Sequence, residues 1–193
     1  MGNDRKPMLL VFAGPNGSGK SSISDLFEIV GEYTNADEIV RAAGISNIDA
    51  ARMVDEKRYA AINDKRDFTF ETVLSSEYKM DILRKAKANG YFLKGVFVLT
   101  ITPEINKIRV AARVENGGHD VAEDKIESRY YKSLANVPEL MELCDILHVY
   151  DNSGDFLQRI VRKHKDSVSI FPNEFWEEEN ILKLIGANES QPE

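Results

Sequence analysis

The sequence predicts an α/β domain in which a mostly parallel sheet is held between layers of helices. Three observations carry that prediction: short β-type runs alternate with longer stretches of helical period, the first run (Met8-Leu-Leu-Val-Phe-Ala13) is apolar without interruption, and glycine-centred breaks separate the segments. A continuous apolar run of six residues is what a strand buried on both faces needs, and it is far too short to cross a bilayer, which takes about 20 apolar residues.

After that first strand the pattern predicts a helix over 19–30, a short strand over 33–35, and helical segments over 37–43 and 47–62. A strand over 67–73 follows. The next helix, 76–88, stops at Asn89-Gly90, a pair suited to a left-handed C-terminal cap, and 91–99 is a strand rich in aromatic and β-branched residues. Pro103 opens a helix over 103–115, the Asn116-Gly117-Gly118 break ends it, and 122–135 is helical again before a strand over 145–150. Two helices are expected to close the chain. The last, around 174–185 (173–186 with its caps), takes Asn173 as N-cap and Gly186 as C-terminal glycine, and 187–193 is expected to be a frayed tail. The whole of 1–193 is expected to form one domain, with 103–136 as a lid.

Composition narrows the function. The chain has 193 residues, 25 Lys+Arg against 32 Asp+Glu, and a net charge of −7, enough length for a core without disulfides and the wrong sign for a broad nucleic-acid footprint. Arg159, Arg162, Lys163, His164 and Lys165 form a local basic cluster, expected on the solvated face of a late helix. The lone Cys144 sits in a strand-like apolar run, where it is expected as a half-buried core thiol, and it fits a reducing, cytoplasmic compartment.

The motif that carries chemistry is Gly14-Pro15-Asn16-Gly17-Ser18-Gly19-Lys20-Ser21, a full match to the phosphate-binding loop G-x-x-x-x-G-K-[ST], placed after a strand and before a helix as the mechanism requires. Its backbone amides, extending to Ser22, would cradle the phosphates of ATP, Lys20 would bridge the β- and γ-phosphates, and Ser21 would give one oxygen to Mg²⁺. The guanine-specifying Asn-Lys-x-Asp is absent, since Asn106-Lys107 continues as Ile-Arg, and so is the Leu-Ser-Gly-Gly-Gln signature of ABC-type ATPases. A small-molecule kinase remains, with an ATP-binding regulatory switch or a polynucleotide or tRNA kinase as alternatives.

A kinase needs a carboxylate near the acceptor hydroxyl and cations over the moving phosphate. Asp37, just after the second strand, is the candidate base, although Asp also suits a helix N-cap; Glu71 and Thr72 end the next strand in the same crevice and are candidates for holding the acceptor. Arg109 and Arg113 share a helix face, and Arg129 lies on the helix beyond the glycine break, so the three form the candidate lid cations, with Arg109 assigned to nucleotide and Arg113 and Arg129 to catalysis. His119 in the break receives no catalytic role. Asp151, Asn152 and Ser153 after the last core strand are read as either an adenine border or a plain turn.

Together these segments resemble the zeta-toxin family of P-loop kinases in its compact bacterial branch: the P-loop, Asn35-Ala36-Asp37, Phe70-Glu71-Thr72, the lid from Arg109 through Arg113-Val-Glu-Asn-Gly-Gly-His-Asp-Val121, Ser128-Arg129-Tyr-Tyr131 and Tyr150-Asp-Asn-Ser153. The resemblance spans about residues 8 to 155. It implies a P-loop NTPase three-layer sandwich, nucleoside-kinase-like, and an ATP- and Mg²⁺-dependent kinase of an activated amino sugar, UDP-N-acetylglucosamine in the best-known members. It also implies an antitoxin as partner. By the same resemblance Asp37 matches the family's base, and Arg113 and Arg129 its lid arginines. One departure stands out: larger zeta toxins follow the strand-end acid with Gly-Thr-x-Arg, whereas Glu71 is followed by Thr-Val-Leu-Ser75, leaving no arginine there.

Overall fold

A computed structural model describes residues 5–36, 39–40, 44, 46–118 and 120–187. Seven strands form one sheet in the order β2-β3-β1-β4-β5-β6-β7: β1 (Met8–Ala13), β2 (Glu32–Thr34), β3 (Phe68–Thr72), β4 (Phe92–Leu99), β5 (Ile146–Asp151), β6 (Gln158–His164) and β7 (Ser167–Ile170). The first five run parallel and the last two antiparallel. The helices whose bounds lie among the described residues are α1 (Lys20–Ser24), α2 (Asn47–Asn63), α3 (Glu77–Ala88), α4 (Pro103–Glu115), α5 (Glu123–Ala135), α6 (Val137–Leu143) and α7 (Glu178–Leu184).

Strand β1 lies at the centre, between β3 and β4, and Leu9 to Ala13 are all buried, which is why its residues are apolar on both faces. One sheet face carries the main core. Leu9, Val11, Phe68, Phe70, Leu93, Phe97, Leu147 and Val149 meet side chains of α3, α6 and α7 there. The opposite face has a smaller cluster, Leu10, Phe12, Val96 and Val98 under Ile23 of α1, with Phe27 and Tyr150 at its border. Among the described residues no helix is long and apolar enough to cross a membrane.

Cys144 is wholly buried rather than half-buried, capping the end of α6, and burial pushes its thiol up to about 12. Its Sγ stands where a side chain on Gly95 would begin: a Cβ there would lie 2.9 Å from it.

Four expectations are corrected, and a fifth falls largely outside the described residues. The helix expected over 19–30 ends at Ser24, because a serine-rich first turn propagates poorly and Ser24 Oγ donates to Ser21 O (2.8 Å) in competition with the helix ladder. The helix expected over 37–43 falls largely outside the described residues; of its members Ile39 and Val40 are helical. In place of the first of two closing helices there is a hairpin, β6 and β7, turning at Lys165 with φ 54°. The basic cluster therefore belongs to a strand, with its side chains split between two faces: Lys163 donates to Met141 O under α6, while Arg162 lies opposite His148 on the other face. Last, Asn173 does not cap the final helix, which begins at Glu178. Its side-chain oxygen instead accepts from the amides of Phe175 (2.9 Å) and Trp176 (2.8 Å), capping a separate turn that buries Trp176. Gly186 does follow the helix end, at φ 73°.

Candidate active site

The carboxyl ends of the parallel strands open into a cleft of about 750 Å³, the position at which doubly wound sheets bind ligands. Its floor is the loop 14–19 and the first turn of α1. Gly14, Gly17 and Gly19 have φ of 140°, 75° and 97°, conformations that side chains resist. At Gly14 a Cβ would also collide with Val98 O at 2.0 Å, so this backbone can pass over β4 only as glycine. Pro15 is buried between them.

Two asparagines from distant segments brace the loop, and an arginine of α5 approaches it. Asn106 of α4, fully buried and paired with Thr100 Oγ1, donates to Asn16 O (2.6 Å); Asn152 donates to Ser18 O (2.8 Å); and Asn16 Oδ1 faces Arg129 Nη1 at 3.5 Å. Asn152 thus buttresses the P-loop, where it also blocks any side chain at Gly19. Asp151 accepts from Ser153 and Asn173, fixing that turn.

Lys20 is buried, and its Nζ donates to Gly14 O and Pro15 O, both at 2.9 Å. Ser21 and Ser22 are exposed at the cleft wall. Of the buried polar atoms that lack a hydrogen-bond partner among the described residues, two belong to the loop and its roof: Ser18 Oγ and Arg109 Nη1. Such orphans normally mark a missing partner, and an anion in this loop would supply one. The donor set therefore fits a nucleotide phosphate chain, and Ser21 is placed to hold a Mg²⁺ that takes its other oxygens from phosphate and water.

The roof is the pair α4 and α5. Arg109, Arg113, Arg129 and Lys132 line the cleft from above, on helices joined by the Gly117-Gly118 break, with Gly117 at φ 81°. His119 and Asp37 lie outside the described residues. Of the described residues before Asp37, Thr34 ends β2 and both Asn35 and Ala36 line the cleft.

Glu71 and Thr72 end β3 on the opposite wall. Tyr33 Oη donates to Glu71 Oε2 at 3.4 Å and itself accepts from Asn35 Nδ2 at 3.3 Å. The turn beyond is strained: Leu74, a fully buried leucine, sits at φ 54°. Thr72 Oγ1 accepts from Leu74 N (3.0 Å), and lid-side residues Ser133 and Asn136 donate to Val73 O (2.7 Å) and Leu74 O (2.9 Å), so the roof pins the strand end beneath it.

Sequence reasoning missed a second set of cleft cations, Arg58 of α2 and Lys79 of α3, along with Lys132. Arg58 is only 2% exposed, lies over the Phe70 ring (4.4 Å to its centroid), and donates to Thr34 Oγ1 (3.0 Å), Thr34 O (3.1 Å) and Asp55 Oδ1 (3.0 Å). Lys79 Nζ donates to both oxygens of the same Asp55, at 2.9 and 3.0 Å. Burial lowers the pKa of both cations, and Asp55 opposes that by Coulomb attraction and hydrogen bonding. The Asp55-x-x-Arg58 spacing was a legible clue to the ion pair, but nothing local tied Lys79 to it.

A glycine-rich phosphate loop under an arginine-bearing roof, on this mostly parallel sheet, defines a P-loop kinase-like fold. The sequence profile described as Zeta toxin matches residues 1–159, and the chain belongs to the zeta toxin family. It is 32% identical over 130 residues to an uncharacterized protein of Haemophilus influenzae, covering 63% of this chain and 91% of that one. Among solved structures, the AvrRxo1-ORF1:-ORF2 complex with ATP superposes at TM-score 0.70 with 14% identity, over 99% of this chain and 67% of the other. The PezAT chromosomal toxin-antitoxin system of Streptococcus pneumoniae gives 0.57 and 15%, over 79% and 70%. These two likenesses show the fold.

Proposed function

We propose that the protein is an ATP-dependent kinase that phosphorylates a hydroxyl of a small metabolite, with UDP-N-acetylglucosamine the first acceptor to try. The observation that supports this best is the convergence on one cleft of the P-loop, the Glu71-Thr72 strand end and the roof cations. The −7 charge favours a small acceptor over a polynucleotide.

In this reading the loop amides of 14–19, with Ser18 and Ser22, hold the nucleotide phosphates. Lys20 leaves the carbonyls of Gly14 and Pro15 for the β- and γ-phosphates, and Arg109 pairs its unsatisfied guanidinium nitrogen with nucleotide. Glu71 and Thr72 hold the acceptor. Asp37 takes the proton of its hydroxyl as that oxygen bonds to the γ-phosphorus; the bond from the γ-phosphorus to the β–γ bridging oxygen breaks, and ADP leaves. Arg113 and Arg129 stabilise the charge spreading over the equatorial oxygens, and a closed roof keeps water from competing. Mg²⁺, held through Ser21, would neutralise phosphate charge.

The family's complexes make an antitoxin a reasonable partner, and the buried thiol of Cys144 suits the reducing cytoplasm. Purified protein incubated with Mg²⁺, ATP and UDP-N-acetylglucosamine is expected to yield a sugar nucleotide heavier by one phosphate in mass spectrometry. Consumption of ATP without that product would leave the kinase reading with another acceptor, and untouched ATP would remove it. Lys20→Ala is expected to weaken ATP binding and to lower transfer by about 10²- to 10³-fold, since it deletes one preorganised cation; calorimetric ATP titration beside the transfer assay checks both.

A further inference from the structure

The sheet face opposite the main core carries basic side chains for which the cleft has no use. Strand alternation brings Lys94 of β4, His148 and Tyr150 of β5, and Arg162 of β6 to this face, with His148 paired in register with Arg162; a register shift between Val149 and Tyr150 then sets Arg159 of β6 opposite Tyr150. Phe27 joins them from the segment after α1. Lys94 Nζ lies 5.3 Å from the Phe27 ring centroid, and the His148 imidazole sits 6.5 Å from Phe27 and 6.3 Å from Tyr150, ring to ring.

This gathering is unusual for its lack of counter-charge. The chain has 32 acidic residues and a net charge of −7, yet among the described residues none of Lys94, Arg159 and Arg162 is within ion-pair distance of a carboxylate. Cations gathered on one sheet face with no carboxylate beside them raise one another's energy through space, and an anion bound among them relieves that cost. His148 adds a second, independent sign: its Nδ1 is buried and has no hydrogen-bond partner. Burial, then the fields of Arg159, Lys94 and Arg162, hold the imidazole neutral down to about pH 4.

We propose that this sheet face is an anion site for a phosphate-bearing ligand, with Lys94, Arg159, Arg162 and His148 Nδ1 as its donors. A phosphate offers several acceptor oxygens to donors arriving from three strands, and its charge cancels the mutual repulsion of the cations. The rings of Phe27 and Tyr150 border the site, so a nucleotide could add contact between its base and an aromatic side chain. The site is separate from the cleft. His148 stands three residues back from Asp151, the last residue of β5, which is about 10 Å along the strand, and none of the donors lines the cleft.

The test follows the His148 ring by NMR in the full-length protein, its resonance assigned with His148→Gln against the two other histidines. Titration with pyrophosphate is expected to shift that resonance saturably and to raise the imidazole pKa from about 4 toward the ordinary 6.5, because a bound anion offsets the three cations. Arg162→Ala and Lys94→Ala are each expected to weaken that response at least about tenfold while ATP binding in the cleft stays unchanged, because each variant removes one charge-assisted hydrogen bond to the anion. Lys20→Ala, which disables the cleft, is expected to leave the His148 response intact. AMP binding more tightly than inorganic phosphate would identify a nucleotide as the ligand class, and equal binding would identify phosphate alone. A resonance that ignores pyrophosphate overturns the proposal, and so does a response that survives in Arg162→Ala and Lys94→Ala but vanishes in Lys20→Ala.

Discussion

Asp37→Asn is expected to slow phosphoryl transfer by about 10²- to 10⁴-fold while leaving the ATP dissociation constant and the melting temperature unchanged. Asparagine keeps the size of the side chain and some of its hydrogen bonding, but it cannot accept the proton that the acceptor hydroxyl must lose. ATP affinity is spared because the phosphate chain is held elsewhere, by the P-loop, Lys20 and the roof cations. The residues that precede it in the chain argue for the role: β2 ends at Thr34, Asn35 and Ala36 line the cleft, and the Glu71-Thr72 strand end is the neighbouring tip of the sheet. If Asp37 serves only as a helix cap, the same substitution costs a few tenths of a kcal/mol in stability and no turnover, since Asn caps as well as Asp. Steady-state turnover beside calorimetric ATP binding separates the two outcomes, and undiminished turnover would remove Asp37 as the base.

Asp55→Ala is expected to destabilise the fold by about 3–5 kcal/mol, the range for deleting one partner of a buried ion pair. For a chain of this length that lowers the melting temperature by roughly 10 °C. Asp55 is 6% exposed and is the shared acceptor of Arg58 and Lys79, so its loss leaves two neighbouring cations facing each other without an anion. Arg58 would keep its bonds to Thr34 and its seat on Phe70, but its Nη1 would be stranded. Adding Arg58→Met should recover part of the loss, because the second substitution removes the more deeply buried of the two uncompensated charges and keeps packing against Phe70. Urea unfolding of the single and double variants provides the check. A loss below about 1 kcal/mol in Asp55→Ala would mean that water reaches the pair and screens it, as at a surface site.

Features encoded by short stretches of chain could be read before the fold was known. The P-loop is one, because eight consecutive residues carry both the glycines that the backbone path needs and the Lys20-Ser21 pair, and the flanking strand and helix are local patterns too. The roof arginines were legible for the same reason: helical period alone puts Arg109 and Arg113 on one face, and both line the cleft with Arg129. The late hairpin was not. Its basic residues suit a solvated helix as well as an edge strand, and only pairing with β5, already set by the central strands, chose the strand. The Asp55, Arg58 and Lys79 group joins α2 to α3 across 24 residues, and the loop braces Asn106 and Asn152 reach Asn16 and Ser18 across 90 and 134. Apart from the Asp55-x-x-Arg58 spacing, nothing local identifies the partners of these residues. Their partners are defined by strand order, and strand order follows from which apolar runs can be buried together, a property of the whole chain.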